Sequence, residues 1–377
     1  MAAKPCRKTI EPRGRVSRSP ELAEGRDANA SFGEPRLRDN LILETTSGLV
    51  ASAASPLYNW AMPKLNERAH ELCDAMVADA DQLGLIVSTL PCGTRIIDCG
   101  VKATGSIEAG RRLAEVCMSG LADVKIGGAR PGFWHGTAVE VSSTWPLAAC
   151  MASQYAGWEI KGEKFFAMGS GPMRAAAGRE ELFQHIGLSE QADVAVGILE
   201  TSKLPPASVC IDIAAKCNIS PDRLTLLVAR TSSAAGTVQI VARSLETALH
   251  KLHVLGFDLK RVRTGMGTAP LPPVASDDLV AIGLTNDAIL YGGFVKVEVT
   301  GDDESLQELG PRVPSNSSPD HGRPFAEIFA RYDNDFYRID PLLFSPAKVA
   351  LHNVDTGGVF KYGSLSLDVL AESFAKK

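Results

Sequence analysis

The sequence predicts an α+β (mixed α/β) protein built as two two-layer domains. Three observations carry this. Short apolar runs of strand length alternate with segments whose apolar residues recur at helical spacing. No unit repeats at a fixed period. The 377 residues are more than twice the roughly 150 of an average domain. No G-x-G-x-x-G follows a strand, so a dinucleotide-binding fold is not supported. We expect a disordered N-terminal extension over 1–61, a first α+β domain over 62–190 and a second over 191–377, with exchange of segments across that boundary left open.

The first forty residues carry nine Lys/Arg and six Asp/Glu, scattered Pro, Gly and Ser, and almost no apolar period. Such a segment buries too little surface to offset its ordering entropy. Met62 opens a better organised stretch, so an upstream over-reading of the start codon is one account of 1–61. The intact mass of the native protein decides it, and a mass matching a start at Met1 excludes it.

From Met62 the elements follow in order. Leu65, Ala69, Leu72, Met76 and Ala80 fall at helical spacing, with Gly84 as the stop. LIVSTLPCGTRIIDCG (85–100) reads as a hairpin around Pro-Cys-Gly-Thr. Ser106–Gly120 is a helix, Val139–Val141 a short strand, Pro146–Ala156 a helix and Trp158–Lys161 an edge strand. Asp193–Leu199 is a buried strand by composition, and Pro205–Cys217 is helical. Leu224–Ala229 is strand-like, Thr231–Gly236 a small-residue turn, and a helix follows. TGMGTAPLPP (264–273) has no regular period and reads as a loop. In TNDAILYGG (285–293), Thr285, Asn286 or Asp287 caps a short helix that Gly292-Gly293 ends before a strand over Phe294–Val299. Residues 301–320 read as a surface loop, Phe325–Tyr332 as a helix, Lys348–Asn353 as the last strand, and Ser364–Phe374 as a final helix.

Composition excludes several function classes. Hydrophobic content of 45% and charged content of 22% are those of a globular protein. A net charge of −5 implies no nucleic-acid surface, and no apolar run reaches membrane-spanning length. Eight cysteines without a Cys-x-x-Cys pair suit neither zinc nor a disulfide framework. They point to a reducing, cytoplasmic compartment. Seven histidines form no HxxxH or HExxH pattern, so no metal site is expected.

Two stretches carry candidate chemistry. On the helix after Gly236, Val241, Leu245, Ala248, Leu252 and Leu255 form an apolar stripe, and Gln239, Arg243, Glu246, His250 and His253 a polar one. Arg243 and Glu246 stand at i and i+3. The stripe is either a solvated face or a carboxylate and a guanidinium aimed into a cleft. In KFFAMGSGPMRA (164–175), Gly169, Ser170 and Gly171 precede Pro172. Such a turn into a helix either cradles an anion on its N–H groups or is simply a tight turn. It has neither the spacing of a nucleophile elbow nor the Lys of a P-loop.

IDCGVKATGSIEAG, EVCMSGLA, KFFAMGSGP, ARSLETALHKL, GTAPLPPVA, TNDAILYGG and DFYRIDPLLFSPA, in that order, resemble the methenyltetrahydromethanopterin cyclohydrolase family. The resemblance runs from about Leu65 to Phe374, with small departures such as Lys102 and Ile107. It implies a cytoplasmic one-carbon enzyme that reversibly hydrates the methenyl bridge of methenyl-tetrahydromethanopterin, or a dephospho form, to the formyl derivative. It implies no metal or nucleotide cofactor, two α+β domains facing each other across a large pocket, and a homo-oligomer, often a trimer. The family's R-x-x-E pair falls on Arg243 and Glu246. Glu246 then acts as general base and acid, and Arg243 orients it and keeps it ionised.

Binding a flat pterin with a polar tail makes Thr268, Asn286, Asp287 and Tyr291 pocket candidates and Gly169, Ser170 and Gly171 an anion-binding candidate. For Asn286 and Asp287, helix capping is the competing reading. Glu108 is a further pocket carboxylate or a first-turn acid favoured by the helix dipole. Two other classes compete: a non-catalytic pterin carrier or regulatory protein, and a phosphate-handling transferase using the 169–172 turn.

Overall fold

The computed structural model describes residues 63–375 apart from 129–132 and 334; the expected extension over 1–61 lies outside the described residues. These residues belong to one compact unit, Trp60–Lys377.

Helix α1 (Leu65–Ala78) buries Leu65, Ala69 and Met76 of the predicted stripe together with Cys73, while Leu72 is half-buried; Ala80 opens α2 (Ala80–Leu83), after which the chain turns at Gly84. Strands β1 (Ile86–Thr89) and β2 (Arg95–Asp98) form the predicted hairpin. Asp98 ends β2, and its two carboxylate oxygens accept the N–H groups of Gly100, Val101, Lys102 and Ala103 at 2.7–3.2 Å. That fixes the loop into α3 (Ile107–Cys117), which Ser106 caps by accepting from the Ala109 N–H.

The chain continues through β3 (Asp123–Gly128) and β4 (Thr137–Ser143) to a π-helix, Leu147–Gln154, where an ordinary helix was expected. Then come β5 (Trp158–Gly162), β6 (Phe165–Ser170), α4 (Met173–Ala177), α5 (Glu181–Ile186), β7 (Ala195–Glu200), α6 (Ala207–Lys216) and β8 (Leu224–Ala229). Helices α7 (Ala234–Val241) and α8 (Ser244–Val254) lead to β9 (Val262–Pro270), α9 (Asp278–Leu290) and β10 (Phe294–Val299). The chain closes with α10 (Asp303–Leu309), α11 (Phe325–Arg331), β11 (Lys348–Asn353), β12 (Val359–Gly363) and α12 (Leu367–Ala375).

The strands form two six-stranded mixed sheets, ordered β1-β2-β8-β7-β6-β5 and β12-β11-β10-β9-β4-β3, as an α+β fold requires. Each sheet draws strands from both sides of residue 190, so position along the chain does not sort them. In the first sheet β2, β8 and β7 run parallel. Its central strands β7 and β8 are buried on both faces: Leu227 and Ala229 pack towards α1 and α3, Leu224, Leu226 and Val228 towards α6. This explains the unbroken apolar runs. The second sheet buries one face, through Val139, Val141, Val295, Val297, Val349 and Leu351, against the π-helix and the Leu245–Leu252 stripe of α8. Its strands therefore alternate. Fully burying each such Leu or Val contributes about 1.5–3 kcal/mol, which ties α8 firmly to the sheet.

Four expectations are corrected. The glycine-rich 264–270 stretch is strand β9 inside the sheet, not a loop. Gly265 and Gly267 face α8, where a β-carbon on Gly267 would stand 2.5 Å from Ser244 Oγ and 2.8 Å from the Leu245 nitrogen. The missing side chains let the first turn of α8 lie directly on the sheet. Helix α9 starts well before Thr285, capped by Asp277, whose carboxylate accepts the Val280 N–H. The 301–320 stretch contains α10 and two short 3-10 turns rather than loop alone. Strand β12 follows Lys348–Asn353 and pairs with it.

Candidate active site

The predicted single helix carrying the polar stripe is two helices. Arg243 is the N-cap of α8 with non-helical torsions (φ −87°, ψ 5°). The joint lies where α7, packed on α3, gives way to α8, packed on β9. Gln239, Arg243 and Glu246 are 1%, 7% and 6% exposed, so for these three the solvated-face reading is excluded. His250 is half-buried and stacks on Tyr155 at 4.7 Å between ring centroids; burial pushes it down to about 4, so it is neutral. His253 lies 5.3 Å from the His185 ring and is also lowered by burial.

Arg243 is held on several sides. One terminal nitrogen donates to the Gln154 carbonyl. The other donates to Ser170 Oγ (3.0 Å) and Gln239 Oε1 (3.1 Å), and lies 3.9 Å from Cys117 Sγ. Gln154 answers the clasp: its Nε2 donates to the Ala242 carbonyl at 3.2 Å. A second guanidinium, the fully buried Arg174, forks onto Glu180, donates to the Met151 and Ser153 carbonyls and stands 4.9 Å from the centre of the Tyr155 ring. Two buried cations thus hold the carbonyls at the C-terminal end of the π-helix, where the helix dipole favours positive charge.

The Glu246 carboxylate, next to this frame, has no hydrogen-bond or ion-pair partner among the described residues. Burial raises its pKa to about 7; the charges of Arg243 and then Arg174 pull the other way without cancelling that effect. The expected Coulombic pull of Arg243 towards the ionised form is present, but burial outweighs it. The two residues are neighbours without an ion pair, and at neutral pH Glu246 is divided between its acid and its base.

The remaining candidates do not converge on this frame. The Gly169–Gly171 turn is buried, and the Gly171 N–H already donates to the Ser153 carbonyl. Gly171 has φ +89° and leaves no room for a β-carbon beside Ile198, so its glycine serves a tight turn rather than an anion cradle. Ser170 does reach the site, as an acceptor for Arg243. Asp287 is buried inside α9 and accepts from the Phe325 N–H and Ser373 Oγ. Tyr291 is buried too, its hydroxyl donating to the Arg323 carbonyl and accepting the Gly322 and Arg323 N–H groups. Asn286 donates back to the Ile282 carbonyl of its own helix. Thr268 alternates with Gly267 along β9 and so faces away from α8. Glu108 is exposed, paired with Arg111 and Arg112, and held low by them.

A cavity of about 700 Å³ is lined by Arg68, Asp123, Ser142, Trp145, Met266 and Lys296 among others, and not by Arg243 or Glu246. A buried carboxylate poised near neutrality beside two guanidinium groups is the arrangement that can move protons.

Sequence reasoning missed Gln154, Arg174, Cys117 and Tyr155. A signal existed for one of them: Gln154 ends the otherwise small and apolar run LAACMAS. An amide there enters a core and needs partners.

A family model described as Cyclohydrolase (MCH) matches residues 64–374. The chain is 47% identical over 313 residues to a methenyltetrahydromethanopterin cyclohydrolase of Methylobacillus flagellatus, covering 83% of this chain and 95% of the relative. It is 48% identical over 304 residues to the protein of that name from Xanthobacter autotrophicus (80% and 90% covered). To the one from Methanospirillum hungatei it is 38% identical over 314 residues (83% and 99% covered).

Proposed function

The chain belongs to the methenyltetrahydromethanopterin cyclohydrolase family, a family of hydrolases, and from that premise we propose that Glu246 and Arg243 carry its chemistry. The substrate in this reading is methenyl-tetrahydromethanopterin or a dephospho form, hydrolysed reversibly to the formyl derivative. The observation that supports it best is the buried Glu246 carboxylate without a hydrogen-bond partner, beside the clamped Arg243.

The methenyl carbon lies between two nitrogens that share a positive charge, so it is electrophilic already. The protein must supply a base, a held water and a route for the proton. Glu246 accepts a proton as the water oxygen bonds to the methenyl carbon, and the C=N electron pair returns to nitrogen. Glu246 then protonates the nitrogen that leaves, and takes the hydroxyl proton as the formyl C=O forms. One proton is left over and passes to solvent, which balances the loss of the cation. Arg243 contributes positive charge towards the developing oxygen. The reading needs neither metal nor nucleotide, and places the protein in the cytoplasm as a homo-oligomer, a trimer in the family pattern.

Turnover tests it. The methenyl chromophore is followed with phosphorylated and dephosphorylated pterins. Continuing decay at catalytic enzyme concentration is expected with at least one of them. A spectral shift that stops at one equivalent identifies a carrier and overturns the proposal.

A further inference from the structure

Among the described residues six side-chain polar atoms wholly closed off from solvent have no hydrogen-bond partner, and three of them, Gln154 Oε1, Arg243 Nε and Ser244 Oγ, lie at the joint between α7 and α8. An unpaired buried polar atom costs about 1–3 kcal/mol, so three at one joint call for a reason. Ser244 Oγ lies on the sheet side, against Gly267. The other two belong to residues that clasp each other at the end of the π-helix.

Gln154 itself is fully buried. Its amide orientation is unambiguous: the group donating to the Ala242 carbonyl must be the NH₂, so the acceptor oxygen points elsewhere. The chain from Gln154 to Tyr155 runs along one face of α8. Gln154 meets Arg243 at one end, and Tyr155 stacks on His250 at the other. Glu246 stands between them, three residues after Arg243 and four before His250. Glu246 and His250 share one face of α8, with Arg243 as the N-cap at its start. The π-helix ending at Gln154 is itself a form that concentrates at functional sites.

We propose that Gln154 is a positioning residue for the attacking water, its Oε1 accepting one water O–H while Glu246 accepts the other. This inference rests on the assignment of Glu246 as base. The Arg243 Nε–H then donates to one lone pair of the water oxygen, and the remaining lone pair faces the methenyl carbon. Four tetrahedral positions are filled by three protein groups and the substrate. The water is oriented as well as deprotonated, and the same Nε–H stays on that oxygen as it becomes the formyl oxygen. No atom is added to the balance given above.

The test compares Gln154→Met with Gln154→Glu in the full chain. Both lose the amide donor to the Ala242 carbonyl, so its structural share is common to both. Only the glutamate keeps an acceptor oxygen at the same reach. On the high-pH plateau, kcat of Gln154→Met is expected to fall about 10–100-fold, with KM within about threefold of the parent, since misplacing a reactant by an ångström costs on that order. Gln154→Glu is expected to turn over at least about tenfold faster than the methionine variant. Equal rates for the two overturn the proposal. Should Gln154→Met not fold, Gln154→Asn keeps the amide but withdraws it by one methylene. A wild-type kcat in that variant overturns the proposal, and a loss of about tenfold at an unchanged thermal midpoint upholds it. Glu246→Gln assayed alongside separates the failures: near-normal turnover there removes the base itself, whereas a dead Glu246→Gln beside active Gln154 variants removes only the role of Gln154.

Discussion

Replacing Glu246 by Gln is expected to abolish most activity and, at alkaline pH, to stabilise the fold. Burial raises the Glu246 pKa from 4.5 to about 7. At about 1.4 kcal/mol per unit, that displacement corresponds to roughly 3 kcal/mol. The sign follows from proton counting. Between pH 4.5 and 7 the folded chain holds a proton on Glu246 that the unfolded chain has released, so this residue makes stability fall as pH rises. The full cost is present above pH 7 and absent below about 4.5. Glutamine carries no charge to desolvate. Glu246→Gln should therefore match the parent near pH 4 and exceed it by up to about 3 kcal/mol at pH 8, a rise of at least a few degrees in thermal midpoint. The same substitution removes the base and should lower kcat by about 10²–10⁴-fold with little change in KM. In the parent, kcat/KM should be half-maximal near pH 7 and fall about tenfold per unit below it. Denaturant unfolding at pH 4 and 8 and the chromophore assay measure both halves. Near-normal turnover, or equal stability of the two chains at pH 8, would refute the reasoning.

Arg243→Gln removes the larger of the two charges that lower the Glu246 pKa. Its pH–rate inflection should move above that of the parent, with kcat reduced; an unmoved inflection means Arg243 does not act on Glu246. Gly267→Ala brings a β-carbon to 2.8 Å from the Leu245 backbone nitrogen, which cannot swing aside. It should cost about 1–3 kcal/mol in denaturant unfolding and lower kcat by shifting the start of α8. Lys251 is 1% exposed, and burial lowers its pKa from 10.5 to about 8 while Nζ donates to Ser317 Oγ and the Leu342 carbonyl. Here the unfolded chain holds the extra proton, so stability should rise between pH 8 and 10.5. Lys251→Met should flatten that rise, and an identical slope in both chains would count against it.

Much of the fold was legible because periodicity records burial. Leu65, Ala69 and Met76 of α1 and every residue of β8 are buried as their pattern indicates, whereas the four residues of β1 in the hairpin at 86–98 are exposed. The helix expected from Ser106 was legible as well, and in the fold Ser106 caps it. The glycine-rich 264–270 stretch was not, because a glycine facing a helix leaves no apolar mark; its role is the space it vacates for Ser244 and Leu245. Asp287 and Tyr291 were misplaced for a related reason. A polar side chain in a motif reads the same whether it meets a ligand or, as here, the Phe325 and Arg323 backbone.

The sequence alone determined the α+β class and the order of most elements, and its ordered motifs singled out Arg243 and Glu246 as candidates. The tertiary structure decided what those two residues are. On spacing they were two groups at i and i+3 on a helix face, either solvated or turned into a cleft. Folded, the helix breaks at Arg243, the guanidinium turns to Gln154, Ser170 and Gln239, and Glu246 stays buried and unpaired. The physical reason is desolvation. A carboxylate's pKa depends on the water it loses and the donors it fails to gain, and both come from segments distant in the chain, the π-helix end at Gln154 and the Arg174 cation beyond it.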